Sequence, residues 1–73
     1  MNDKKFFDII KKYIKNQKFE KKTILKKVKK WDSLTHLNIL FTIEKVYKIK
    51  FNINEINNFK SVGEIIDCVK NKK

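Results

Sequence analysis

Trp31-Asp32-Ser33-Leu34-Thr35-His36-Leu37 joins a lysine-studded segment to the most apolar helical pattern in the chain. Beyond it, Leu37, Ile39, Leu40, Phe41, Ile43, Val46 and Tyr47 recur at helical period, with no glycine or proline to interrupt them. Asp32 and Ser33 are both good N-cap types and stand where this helix should begin, so a helix is predicted over 33–48. A serine hydroxyl placed there lies at the positive end of the helix, beside backbone N–H groups that lack intrahelical partners. An anionic group attached to it gains about 0.3–1 kcal/mol from that position. Read locally, the same two residues do no more than cap a helix.

The predicted 33–48 helix has two apolar sides. At 100° per residue, Ile39, Leu40, Ile43, Val46 and Tyr47 cluster on one of them, the expected core face. Leu34, Leu37 and Phe41 project from nearly the opposite side, next to a polar strip of Asn38, Thr42 and Lys45. A helix serving only a core has no need of the second patch. Either another segment covers it or it is a docking surface adjoining Ser33.

Upstream, Phe6, Ile9, Ile10, Tyr13 and Ile14 keep i, i+3, i+4, i+7, i+8 spacing and predict a first helix over 3–15, with Asn2 or Asp3 as cap. Its basic amphipathic pattern also suits a membrane surface, but the apolar stripe is what a four-helix core requires. Residues 16–32 read as a connector pinned by Phe19, Ile24, Leu25, Val28 and Trp31, with Thr23 capping a short turn. Downstream, the alternation at 49–53 has no second strand to pair with. A loop and a short helix over 54–58 is predicted instead, anchored by Phe51, Ile53, Ile56 and Phe59. Ser61-Val62-Gly63-Glu64 has the form of a capping box and opens a last helix over 61–70, with Ile65, Ile66 and Val69 inward. Lys70, Lys72 and Lys73 suit its negative end. The fold class expected is therefore all-α: a small four-helix bundle, three longer helices and one short one, in a single domain spanning 1–73.

The chain has 73 residues, a formal net charge of +11 and 41% hydrophobic residues, enough for a small core and too many for a disordered tail. No apolar run reaches transmembrane length, and Met1-Asn2-Asp3-Lys4-Lys5 is not followed by a signal-type block. Cys68 is the one cysteine, so neither an internal disulfide nor a cysteine metal site is expected, and a reducing cytoplasm is the expected setting. The charge invites a nucleic-acid reading. Against it, all 19 basic residues are lysine, with no arginine for bidentate contacts, and they are spread along the chain. The absence of Ala, Arg and Pro beside abundant Lys, Asn and Ile points to an AT-rich coding sequence as the source of the excess. The densest cluster, Lys26-Lys27-Val28-Lys29-Lys30, reads as a solvated loop or as a contact for an acidic partner or phosphate.

Asp32-Ser33-Leu34 opening an apolar helix, Ile43-Glu44 and Tyr47 along it, Phe51 and Ile53 after it and Ser61-Val62 opening the last helix together resemble the acyl carrier protein family. The resemblance covers residues 31–69 without a gap, and the Trp-Asp-Ser-Leu-x-His-Leu wording is similar to small stand-alone carriers of specialised acyl-transfer pathways. It implies that Ser33 carries a 4′-phosphopantetheine arm drawn from coenzyme A, with Asp32 beside it. The arm would hold an acyl or aminoacyl group as a thioester. The partners implied are a phosphopantetheinyl transferase, an acyl- or aminoacyl-loading ligase and an acyltransferase, docking through Leu34, Leu37, Phe41 and Glu44. Ile39, Ile43 and Tyr47 would line an acyl cavity. The chain departs from the family at Lys30, where a glycine often stands, and in having few acidic residues along the second helix.

Asp32, Ser33 and His36 fall within five residues, yet a triad needs the histidine to bridge serine and carboxylate, which one helix start does not obviously allow. His36 falls near the core side of the wheel, and metal-ligand spacing is absent. A monomeric non-enzyme is expected. The alternatives are a lysine-rich helical nucleic-acid-binding protein and an unmodified, carrier-like interaction module.

Overall fold

The computed structural model describes residues 3–15 and 17–72. Among the described residues four helices form a small all-α bundle: α1 (Asp3–Tyr13), α2 (Ser33–Tyr47), α3 (Ile53–Asn58) and α4 (Val62–Lys72). The expected caps and charges at Asn2 and Lys73 lie outside the described residues. Each long helix buries the stripe its sequence marks out: Phe6, Ile9 and Ile10 from α1, Ile39, Leu40, Ile43 and Tyr47 from α2, and Val62, Ile65, Ile66 and Val69 from α4. These residues meet in one core, which Ile14, Phe19, Leu25, Val28 and Phe51 complete from the loops.

The ends differ from expectation by one or two residues, for local reasons. α1 stops at Tyr13, and Ile14 leaves the helix while keeping an N–H bond to the Ile10 carbonyl at 3.0 Å. α2 stops at Tyr47 because Lys48 takes the left-handed conformation, φ 58° and ψ 48°, and its N–H caps the Glu44 carbonyl. α3 starts at Ile53 because Asn52 caps it: Asn52 Oδ1 accepts from Glu55 N–H and Glu55 Oε1 accepts from Asn52 N–H, at 2.8 and 2.9 Å. At the expected box before α4, Ser61 Oγ does accept from Glu64 N–H, but Glu64 Oε1 accepts from Lys60 N–H and not from Ser61.

Three residues expected inside are outside. Ile53 is 74% exposed, because the Asn52 cap sets it at the outer start of α3. Ile24 is exposed because it forms an antiparallel bridge with Ser61, which turns its neighbour Leu25 inward. Tyr13 is exposed and reaches α2 through its hydroxyl, 2.6 Å from Thr42 Oγ1. Thr42 donates to the Asn38 carbonyl, so Tyr13 is the donor.

The connector is tied to the start of α4. Leu25 N–H donates to Lys60 O, Val62 N–H to Thr23 O and Gly63 N–H to Lys21 O, at 2.9, 3.0 and 2.7 Å. Its middle turns through a short 3-10 segment, Leu25–Lys27. A Cβ on Gly63 would stand 2.8 Å from the Lys21 carbonyl oxygen. Gly→Ala in a helix ordinarily stabilises. Here Gly63→Ala should destabilise by about 1–3 kcal/mol, since backbone must move and its hydrogen bond lengthens. Urea denaturation reads the sign, and a stabilised variant would show that the connector yields freely.

Candidate functional site

Asp32, and not Ser33, is the N-cap of α2. Its backbone is extended and its Oδ1 accepts from Thr35 N–H at 2.8 Å. That bond, followed by one from the Thr35 side chain, lowers the Asp32 carboxyl below its ordinary value, so it stays ionised. Ser33 is the first helical residue and is exposed, with no hydrogen bond given to its hydroxyl among the described residues. The backbone N–H groups of Ser33 and Leu34 precede the first intrahelical bond, which His36 N–H makes to Asp32 O at 2.8 Å. The other serine-led helix provides the contrast. At α4 the first three N–H groups go to Thr23, Lys21 and Ser61 Oγ, so that end is closed.

Beside Ser33 lies a groove of about 320 Å³ between the connector, the first turn of α2 and α3. Trp31, His36, Ile56 and Phe59 form its walls, with Lys26 and Asn57 adding polar groups. One hydrogen-bond chain ties these walls together. Trp31 Nε1 donates to His36 Nδ1 at 2.8 Å, and His36 Nε2 lies 2.8 Å from Ile56 O. An indole N–H only donates, so Nδ1 accepts and the ring proton sits on Nε2, donating to Ile56. Both ring nitrogens are thereby occupied, and the histidine ties the start of α2 to α3. Trp31 also packs edge-on against Phe19, 6.1 Å between ring centres.

His36→Ala should cost about 1–3 kcal/mol by leaving two half-buried groups unpaired. Trp31 is the one tryptophan in the chain. Its fluorescence should shift to the red in the variant, and an unchanged spectrum and melting temperature would mean that the chain of bonds carries no weight.

The expected docking residues divide. Leu34 is 69% and Phe41 48% exposed, Leu37 is half-buried, and Glu44 is turned to a structural task, its Oε2 accepting from Phe51 N–H at 2.7 Å. The expected acyl-cavity residues Ile39, Ile43 and Tyr47 are packed in the core, and the open space next to Ser33 is lined by others. The chain between Phe19 and Trp31 adds Phe19, Leu25 and Val28 to that core, and the groove lies at the start of α2. Lys30 needs no glycine-like backbone, since Lys48 is the described non-glycine residue with positive φ.

Leu25, Lys26, Ile56, Asn57 and Phe59 were not legible as groove residues, because two segments distant from Ser33 in sequence supply them. Elsewhere, Cys68 is half-buried and donates to Glu55 Oε2 at 3.3 Å. Burial first, and Glu55 second, push its thiol up to about 11, far from a thiolate at neutral pH. Among the described residues no group of three or more acidic, histidine or cysteine side chains is arranged to hold a metal ion, and no helix is long and apolar enough to cross a membrane. No family model, curated protein or solved structure matches this chain.

Proposed function

We propose that this chain is an acyl carrier: Ser33 receives a 4′-phosphopantetheine arm from coenzyme A, and the domain presents an acyl or aminoacyl group to partner enzymes. The observation that carries the reading is the exposed, uncommitted Ser33 hydroxyl at the open end of α2, beside a groove. The family resemblance of residues 31–69 supports it independently.

The residues present fit the group. Ser33 Oγ is exposed, and the positive end of α2 favours a phosphodiester there. On transfer, the Ser33 oxygen forms the new O–P bond and the pyrophosphate of coenzyme A breaks. The hydroxyl proton passes to a base on the transferase, and adenosine 3′,5′-bisphosphate departs. When bound, the arm supplies a terminal thiol that holds cargo as a thioester. The chain's own part is positional. Asp32 holds the first turn, Trp31 and His36 hold the groove wall, and one small domain brings the tethered cargo to successive enzymes at raised effective concentration. The enzymes implied are a phosphopantetheinyl transferase, a loading ligase and an acyltransferase.

Intact-mass measurement tests the reading. Incubation of folded protein with coenzyme A, magnesium and a broad-specificity transferase should add one arm per chain. Refusal by several such transferases would favour the unmodified interaction module, for which the exposed Leu34 and Phe41 are the specific support.

A further inference from the structure

Charge along the stretch that holds Ser33 is one-sided. From Lys26 to Lys45 the chain has five lysines, at 26, 27, 29, 30 and 45, against two carboxylates, Asp32 and Glu44. Both carboxylates are occupied by backbone N–H groups, of Thr35 and Phe51. The five lysines are all exposed, and the described ion pairs, Lys21–Asp3 and Lys72–Glu55, involve none of them. Lys26 borders the Ser33 groove, and Lys29 and Lys30 form the turn that leads into Trp31. On α2, Leu34 and Phe41 are seven residues apart, hence on one face, and both are exposed. Lys45 follows one turn later on the same side. The exposed apolar pair thus shares its helix face with Lys45, and Lys29 and Lys30 stand just before the turn that contains Ser33 and Leu34.

We propose that this face docks proteins that offer an apolar socket ringed by carboxylates, and that the enzymes acting at Ser33 meet the chain through it. The inference rests on the carrier reading of Ser33. Leu34 and Phe41 are the anchors, since apolar side chains in a fitted pocket carry most of a small interface's affinity. The lysines act at longer range, raising the encounter rate with an acidic surface and opposing a basic one. A nucleic acid would satisfy the lysines through its phosphates but would leave Leu34 without an apolar partner, and no arginine is available to read bases.

The test uses two phosphopantetheinyl transferases as probes, one with an acidic and one with a basic rim around its active site. For the acidic-rimmed enzyme, kcat/KM on the wild-type chain should fall about tenfold between low and physiological salt. At low salt it should fall by at least about tenfold when Lys26, Lys27, Lys29 and Lys30 are all replaced by glutamate. For the basic-rimmed enzyme both signs reverse. A glutamine version of the same four positions, expected to lie between, keeps the test open if the glutamate version does not fold. Phe41→Ala should lower kcat/KM for the acidic-rimmed enzyme at every salt concentration. Rates that ignore both salt and the four substitutions would overturn the docking proposal alone, leaving Ser33 as the modified residue. A folded chain that accepts no arm from either enzyme would overturn the Ser33 reading and this proposal with it. RNA or anionic-vesicle binding at physiological salt that the four substitutions abolish, with transferase kinetics unchanged, would assign the lysines to that ligand instead.

Discussion

Ser33→Ala will fold like the wild type and take up no phosphopantetheine. The folding half of that expectation follows from Asp32 being the cap. Removing the Ser33 hydroxyl leaves the Asp32–Thr35 bond in place and deletes no described hydrogen bond, so the change in stability should stay within about 0.5 kcal/mol. The chemical half follows from exposure and position. Other hydroxyls are committed: Thr23 Oγ1 accepts from Glu20 N–H, Thr42 donates to Asn38 O, and Ser61 accepts from Glu64 N–H. Ser61→Ala makes the matched control. It should lose about 0.5–1 kcal/mol with its cap and still accept the arm at Ser33. Intact mass and thermal melting on the two variants read both halves. Uptake by Ser33→Ala, or loss of uptake in folded Ser61→Ala, would place the attachment elsewhere and end the present assignment.

Ile43→Ala should all but unfold the domain at 37 °C, whereas Leu34→Ala and Phe41→Ala should not. Ile43 is fully buried on the inner side of α2, so truncation removes its burial and leaves a cavity, about 2–5 kcal/mol in cores of this kind. A domain of this size has about 5 kcal/mol or less to lose. Leu34 is mostly in water, and Phe41 is about half out. Their truncation should cost close to nothing and about 1 kcal/mol respectively. The same two exposed substitutions should slow arm transfer or acyl loading. Urea unfolding with circular dichroism separates the cases. If Leu34→Ala and Phe41→Ala unfold the protein as Ile43→Ala does, the outer face of α2 is core and no docking face exists there.

Both expectations hang on one helix seen from two sides, and the chain writes the two sides plainly. Helical period is a relation between residues three and four positions apart, so the buried stripes of α1, α2 and α4 could be marked from sequence with no knowledge of what they pack against. Caps are equally short-range. Asp32 before α2 is legible for that reason, and the Asn52–Glu55 box is equally local in form.

Contacts between segments follow no such local rule. Whether Ile24, Ile53 and Tyr13 point in or out is settled by a bridge to Ser61, a cap at Asn52 and a hydroxyl bond to Thr42, not by their own hydrophobicity. Gly63 matters because Lys21, forty-two positions upstream, brings a carbonyl against it. His36 is held by the Trp31 indole and by the Ile56 carbonyl, twenty residues away. The position and type of Ser33 could be read in one dimension. Its open helix end, its groove and the closing of the core around Ile39, Ile43 and Tyr47 exist only once the connector has folded back, because backbone polar groups take whichever partners the whole chain brings near.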